Sequence, residues 1–371
     1  MKRFDAVVIG GGPAGLAASI AAARAGLSVM VADVHVPPID KLCGEGLLPD
    51  ALQALGELGV GSLRGAPFTG ISFHENERAF AGSFSGQGAL GVRRTLLHEA
   101  LTATAEREGV KLFWRTRAER IATGKVKVGA ETFACHYVIG ADGMHSRVRQ
   151  SAGLSVRASG PRGLRERQRL ASGCHYRCAP WSQNVEVHWA GSVQAYVTPV
   201  AGDEVSVAVI SRARQVRAQE SLDLFPVLRA RLAAAARVSR EQGAGSMMLR
   251  LPRVVAGDTI LIGEASGSVD AITGEGLSLV FRQALALGDA LRSGDLDAYQ
   301  KEHRRILWRS RWMARMLLSL SEHPRWRSRV FAAFVREPRA FENLLNMHVG
   351  SRPKIFGAGG CTDLCAQVLF G

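Results

Sequence analysis

The stretch that most constrains this chain is MKRFDAVVIGGGPAGLAASIAAARAGLSVMVAD, residues 1–33. Phe4 to Ile9 is a short apolar run rich in β-branched residues, cut off by Gly10-Gly11-Gly12-Pro13-Ala14-Gly15. That order reads as buried strand, tight turn, helix. Gly10, Gly12 and Gly15 fit G-x-G-x-x-G: the first permits the turn, the second lets backbone approach a pyrophosphate, and the third lets helix pack on strand. The small residues Ser19, Ala23 and Gly26 keep that packing close. A second strand, Ser28 to Ala32, ends on Asp33, whose carboxylate is placed to accept hydrogen bonds from a ribose. Strand, turn, helix, strand and terminal acid agree, so a dinucleotide site is expected rather than a ligand-free glycine turn.

At 371 residues the chain has room for about two domains. Its 47% apolar and 22% charged content is that of an ordinary globular protein. The excess of 47 Lys+Arg over 33 Asp+Glu, net +14, suits anionic substrates, nicotinamide phosphates, nucleic acid or an anionic membrane surface. No nucleic-acid module accompanies the charge, so nucleic-acid binding is not expected. Lys2-Arg3 before small apolar residues has a superficial signal-peptide look, but the glycines at 10–12 and Arg24 break any apolar core. No apolar stretch reaches the length of a membrane span, and a cytoplasmic location is expected. The six cysteines are too sparse for a disulfide scaffold. Cys174-x3-Cys178 and Cys361-x3-Cys365 have ligand-like spacing but lie far apart without a knuckle loop, so no metal site is expected.

Beyond Asp33, two prolines force an extended segment, Cys43-Gly44-Glu45-Gly46 is a flexible loop, and Leu47 to Leu58 has helical periodicity. The loop follows the second strand and sits at a helix start, near the carboxyl ends of the strands where ligands bind in such sheets. Gly70 to Val92 alternates like antiparallel strands outside this unit. Arg93-Arg94 opens a helix with Leu97, Leu101 and Ala105 on one face. Short strands at 111–114, 120–121, 125–128 and 132–133 lead to a buried one, His136 to Ile139, which ends at Gly140-Ala141-Asp142-Gly143 with Ser146 and Arg149 beyond. Residues 155–170 form a basic connection, either solvated or a lid over an anionic cofactor. Period-two segments return at 185–189, 194–198 and 204–210, followed by a helix near 225–236. Thr259 to Ile262 is a buried strand ending at Gly263-Glu264-Ala265, and a glycine turn then opens a long helix. Residues 299–345 look wholly helical. Trp308, Trp312 and Trp326 interleave there with arginines, as either a solvated basic cap or a membrane-facing surface.

Three separated segments now carry one pattern: GGGPAG with Asp33, GADGMHS-RVR at 140–149, and GEASGSVDAITGEG at 263–276. Together they resemble the FAD-dependent group A flavoprotein monooxygenases and the related geranylgeranyl reductase-like oxidoreductases, over roughly residues 1–300. LCGEGLLP at 42–49 is especially similar to the reductase branch. The resemblance implies that Gly10, Gly12, Pro13, Ala14, Gly15 and Asp33 bind FAD, with Cys43 and Gly44 from the loop. It implies that Arg94 contacts FAD, that Asp142 and Gly143 bridge the pyrophosphate region and the nicotinamide route, and that Gly263-Glu264 meets the ribityl hydroxyls. Gly274, Glu275, Gly276 and Leu277 would set a helix N-terminus beside the flavin pyrimidine, stabilising the reduced anion. Departures are Glu264 in place of Asp and Ala271 in place of proline. No W-x-W-x-I-P occurs, which disfavours flavin halogenases. Tyr196-Val197-Thr198-Pro199 lacks the aromatic pair that lines a prenyl cavity.

The expected fold is α/β: a discontinuous Rossmann-like FAD domain with a parallel sheet (1–69, 92–154, 258–298), an antiparallel-sheet substrate domain (70–91, 155–257) and a helical C-terminal region (299–371). The expected function is monooxygenation of an aromatic, polyketide-like or otherwise apolar small molecule with NAD(P)H and O2. Carbon–carbon double-bond reduction of an isoprenoid or lipid stands second, and a non-enzymatic FAD-binding partner at a membrane surface third. The sequence names no catalytic base or nucleophile; His175, His188 and Tyr196 fall on the substrate sheet, where structural roles are the commoner ones. Peripheral membrane contact is expected, if anywhere, through the basic C-terminal helices.

Overall fold

The computed structural model describes residues 2–155, 168–212 and 217–350. The first strand, β1 (Arg3–Ile9), runs into α1 (Pro13–Arg24) and returns as β2 (Val29–Ala32). Proline at the first helical position costs no hydrogen bond there, which is why the helix starts directly after the glycines. Next come β3 (Gly46–Leu47), α2 (Pro49–Glu57), β4 (Ala66–Phe68), β5 (Gly70–Glu75), β6 (Arg78–Ser83), β7 (Ala89–Gly91) and α3 (Arg94–Arg107). A strand and a hairpin, β8 (Lys111–Phe113), β9 (Ala118–Ala122) and β10 (Lys125–Val128), precede β11 (Glu131–Gly140) and α4 (Arg147–Ser151). The segments read as separate strands at 132–133 and 136–139 are thus one strand, paired with β10 through its first half and with β1 through most of its length.

These elements make a sheet in which β11, β1, β2 and β8 run parallel. The chain later adds β18 (Val255–Ala256) and β19 (Thr259–Leu261) beside β11. Because β1 has β2 on one side and β11 on the other, the strand order switches at β1, and a crevice opens at the carboxyl ends there.

The second sheet is built from β12 (Arg169–Arg177), β13 (Asn184–Ala190), β14 (Val193–Ala201) and β15 (Glu204–Ser211). After α5 (Ala218–Ser221) and α6 (Pro226–Leu232), β16 (Ala236–Arg237) and β17 (Gln242–Ser246) join its edge. The helix read near 225–236 is therefore shorter, since Ala236 leaves it to pair with Arg177. This sheet is antiparallel except at one seam, where β13 runs parallel to β5. The seam arises because β5 and β6 form a hairpin contributed from far earlier in the chain. A small sheet, β3-β7-β4, packs against β14 of the second sheet.

The C-terminal region is α7 (Gly276–Ser293), α8 (Leu296–Glu322), α9 (Pro324–Arg336) and α10 (Pro338–His348). The stretch 299–345, read as wholly helical, is divided into successive helices by two breaks, each at a residue before proline, because the proline ring excludes that residue from helical geometry. The breaks fold the helices over one face of the second sheet. There Phe73, Phe80, Trp189, Phe331, Phe334 and Phe341 pack edge to face and stacked in one aromatic core. The basic segment 156–167, including most of the expected lid, and Cys361 and Cys365 lie outside the described residues.

Gly15 shows how tightly the first unit is fitted: a Cβ there would lie 1.7 Å from the Gly10 carbonyl oxygen. Gly15→Ala should therefore force β1 and α1 apart and cost about 1–3 kcal/mol of stability or more, read as a lowered melting temperature. An unchanged melting temperature would show that the contact can relax freely.

Candidate FAD and substrate site

A cavity of about 1480 Å³ opens at the switch point and runs between the two large sheets. Its first wall is the glycine turn. A Cβ on Gly10 would sit 2.4 Å from the Ala141 carbonyl oxygen, so β1 and β11 meet backbone to backbone there. At Gly12, by contrast, the nearest atom to a Cβ is Arg94 Nη2 at 4.0 Å, so the turn presents bare backbone to the cavity. His98, buried on α3, supports this turn through a 2.9 Å hydrogen bond between Nε2 and the Gly11 carbonyl.

Asp33 ends β2 on the cavity wall, where its Oδ2 accepts from the Gly11 amide (2.7 Å) and its Oδ1 from the His35 amide (2.8 Å). Burial alone would raise its pKa, but these amides and the His35 ring outweigh it and hold the carboxyl below its ordinary value. Asp33 is thus a charged acceptor that also braces the glycine turn.

The second and third fingerprints meet across the cavity. Asp142 Oδ2 accepts from the Arg147 and Val148 amides at the start of α4 (2.7 and 3.2 Å). Arg149 Nη1 donates to the Ala265 carbonyl at 3.0 Å, and Nη2 to the Met144 carbonyl at 2.6 Å, clamping the two loops together. Glu264 projects into the cavity, where desolvation raises its carboxyl against the pull of Lys41, Arg94 and His145. Past it, Gly274 adopts φ +68°, and the amide end of α7 faces the cavity through Gly276 and Leu277.

The Cys43–Gly46 loop forms the opposite wall and is held far more firmly than its glycines imply. Glu45 stands at φ 58°, a left-handed conformation uncommon for a residue with a side chain. Its carbonyl accepts from the Val92 amide (2.9 Å), its Oε1 from the Arg94 amide (2.7 Å), and its Oε2 pairs with His175 Nε2 at 2.6 Å. Thr198 Oγ1 donates to the Gly44 carbonyl at 2.9 Å. The loop thereby ties α3 to β12 and β14, with Cys43 on the cavity wall. Burial pushes the Cys43 thiol pKa up, against a downward pull from Arg94, so the sulfur keeps its proton at neutral pH.

Among the residues expected at the site, Gly10, Gly12, Pro13, Ala14, Asp33, Cys43, Gly44, Arg94, Asp142, Gly143, Gly263, Glu264, Gly274, Gly276 and Leu277 line this one cavity. Two do not. Gly15 faces the Gly10 carbonyl instead, as a packing glycine. Glu275 requires a correction: its side chain is buried behind the turn, 3.7 Å from Arg309 and 3.5 Å from His348. Only its backbone serves the turn, because the helix start that aims the amides forward turns its side chain back.

Glu45 and Arg149 lie within the motifs at 42–49 and 140–149 without a role read for them there, and His98 carries no sequence signal. Glu45 lines the cavity, and His98, Arg149 and His175 brace the residues and loops around it. Tyr196 also lines the cavity, its hydroxyl donating to the Ile272 carbonyl at 3.0 Å. His188 lies away from it, paired with Glu186 at 2.9 Å. Cys174 is buried and Cys178 half-buried, both as free thiols.

Residues 3–171 match the family model described as FAD binding domain. That stretch is an FAD-binding domain. The chain is 28% identical over 328 residues to a menaquinone reductase of Mycolicibacterium smegmatis, covering 80% of this chain and 78% of that protein. Its fold matches a triple mutant of the flavin-dependent brominase Bmp2 with TM-score 0.79, at 18% identity and over 99% of both chains. It matches a geranylgeranyl bacteriochlorophyll reductase-like protein from Thermoplasma acidophilum with TM-score 0.73, at 18% identity, over 99% of this chain and 96% of that one. At such identities the likeness to the two solved structures is one of fold. The family match over residues 3–171 and the similarity to a named reductase make this chain an FAD-dependent oxidoreductase.

The flavoprotein's own residues fit the cofactor. Arg94 Nε and Asp142 Oδ1 are buried on the cavity wall with no hydrogen-bond partner among the described residues, a cost that a bound polar group would remove. Cβ atoms on Gly143, Gly274 and Gly276 would meet nothing, leaving backbone amides open to a ligand. Gly12→Val should fill the pyrophosphate approach and abolish FAD retention on gel filtration. Glu264→Ala should weaken FAD roughly tenfold or more, the scale of a lost charge-assisted hydrogen bond of about 1.5–3 kcal/mol, whereas Glu264→Asp should be tolerated. Undiminished FAD binding by Gly12→Val would refute the placement.

Proposed function

We propose that this flavoprotein reduces a carbon–carbon double bond in an apolar, isoprenoid-bearing substrate, with NAD(P)H as the source of electrons. The observation that carries the reading is Cys43. A protonated thiol stands on the cavity wall, on a loop held in a strained conformation by Glu45 and its partners. Strain held in place by several hydrogen bonds at a cavity wall is the kind of cost that a functional requirement sustains.

Reduced FAD, when bound, would supply the hydride chemistry for one carbon of the double bond. The other carbon needs a proton, and Cys43 Sγ holds one. Its departure leaves a thiolate that takes a proton back from solvent, while Arg94 nearby favours the transient negative charge. Glu45 and His175 keep the loop in register, and Tyr196 contributes its ring to the wall. The mycobacterial relative is named a menaquinone reductase, which favours a quinone with an isoprenoid tail as substrate. The chain's net charge of +14 suits an anionic nicotinamide reductant.

Monooxygenation is the second reading. It is favoured by the absence of Phe and Trp among the described residues lining the cavity, a sparse wall for a prenyl chain. Oxygen separates the two. Conversion under anaerobic conditions to a product two hydrogens heavier supports reduction; an absolute need for O2 with 18O in the product supports the second reading.

Cys43→Ala should retain FAD yet slow anaerobic product formation by roughly 10²-fold or more, the usual weight of a positioned acid. Because burial raises this thiol's pKa, the proton is lost only above the ordinary thiol value of about 8.5, so activity should hold through neutral pH and fall on the alkaline side. A Cys43→Ala rate equal to wild type would remove the thiol from the chemistry.

A further inference from the structure

The two faces of α8 are chemically opposed. Ile306, Leu307, Met313, Ala314 and Leu317 are buried against the protein. On the other side Lys301, Arg304, Arg305, Trp308, Trp312 and Arg315 are exposed, at steps of three and four residues that align them along one stripe. Trp308 is 72% exposed and Trp312 46%, and Trp326 on α9 is 40% exposed between Arg325 and Arg329. Water is a poor environment for three indoles on neighbouring helices. Of the acids nearby, Glu302 pairs with Arg305 at 3.4 Å and Glu322 with Arg212, while Asp297 is exposed in the first turn of the helix. Arg304 spends one donor on the Pro252 carbonyl at 2.8 Å. The surface that remains sets Lys301, Arg304 and Arg315 beside indole rings.

We propose that this stripe of α8, with the start of α9, docks the enzyme on a bilayer carrying anionic headgroups, from which the site draws its substrate. The inference rests on the reading of the site as one for an apolar, isoprenoid-bearing molecule. Indoles settle at the headgroup level, and cations beside them are drawn to anionic lipid, so the two features reinforce each other on one surface. No described helix is long and apolar enough to cross a membrane, so the contact is peripheral. The same helix also reaches the site: Leu307, the residue before Trp308, lines the cavity, and Arg311 lies beside Gly267 on its wall. A molecule leaving the bilayer at the indoles is thus already at a helix that bounds the cavity.

The test uses FAD-loaded full-length protein and flotation with phosphatidylcholine vesicles, with and without phosphatidylglycerol. Binding to the mixed vesicles, absence of binding to neutral ones and release by salt are expected. Trp308→Ser with Trp312→Ser, and separately Lys301→Gln with Arg315→Gln, should each lower partitioning roughly tenfold while leaving turnover of a soluble short-chain analogue unchanged. Cys43→Ala should be slowed roughly 10²-fold yet bind vesicles fully, so failure of the chemistry and failure of the docking are read separately. Absence of binding at low salt, or equal binding by both double variants, overturns the proposal. So does a wild-type dimer that the tryptophan variant makes monomeric, since that places a second copy on the face.

Discussion

Everything at the site depends on backbone meeting backbone at the end of β1. The space beyond a Cα at Gly15 is taken by the Gly10 carbonyl, and that at Gly10 by the Ala141 carbonyl. Glycine at both positions removes the Cβ atoms that would hold α1 and β11 away from β1, so two loops from distant parts of the chain converge on the same few ångströms. The amides of Gly12 and the carboxylates of Asp33 and Asp142 then face one cavity because no side chain stands between them. Small-residue packing continues this logic along α1, where a Cβ on Gly288 of α7 would come within 3.2 Å of the Ala21 Cβ.

A second fixed point, Glu45, joins the cofactor unit to the sheet across the cavity. Its left-handed backbone and its bonds to Arg94, Val92 and His175 make one residue the junction of β3, α3 and β12. Such a node costs conformational energy and is kept by its partners. What it secures is the position of Cys43, a thiol whose usefulness depends on being on the wall with its proton retained. The Glu275 cluster behind the α7 turn is a different kind of feature. It gathers Asp50, Arg309 and His348 out of water, with burial raising the Glu275 carboxyl, and it anchors the turn from behind without entering the cavity.

The sequence by itself determined the cofactor unit. Glycine spacing, a β-branched strand and a terminal acid each follow from local steric and hydrogen-bonding rules, and they left little freedom in how residues 3–33 fold. The same local rules located β5, β6 and β13–β15 through their alternation and the α7 turn through its glycines. The remainder depends on contacts between elements far apart in the chain. Pro324 and Pro338 mark where 299–345 divides into three helices, but which face those helices cover is set by the aromatic core. Glu45 sits in the local motif at 42–49, but its partners lie 49 and 130 residues away along the chain, so what it joins cannot be read from that motif. Glu275 sits inside a motif that sequence reading assigns to the cofactor, yet helix geometry sends its side chain away from it. Motif spacing fixes where backbone goes; the direction of a side chain, and what it meets there, is settled by packing between elements that the sequence leaves far apart.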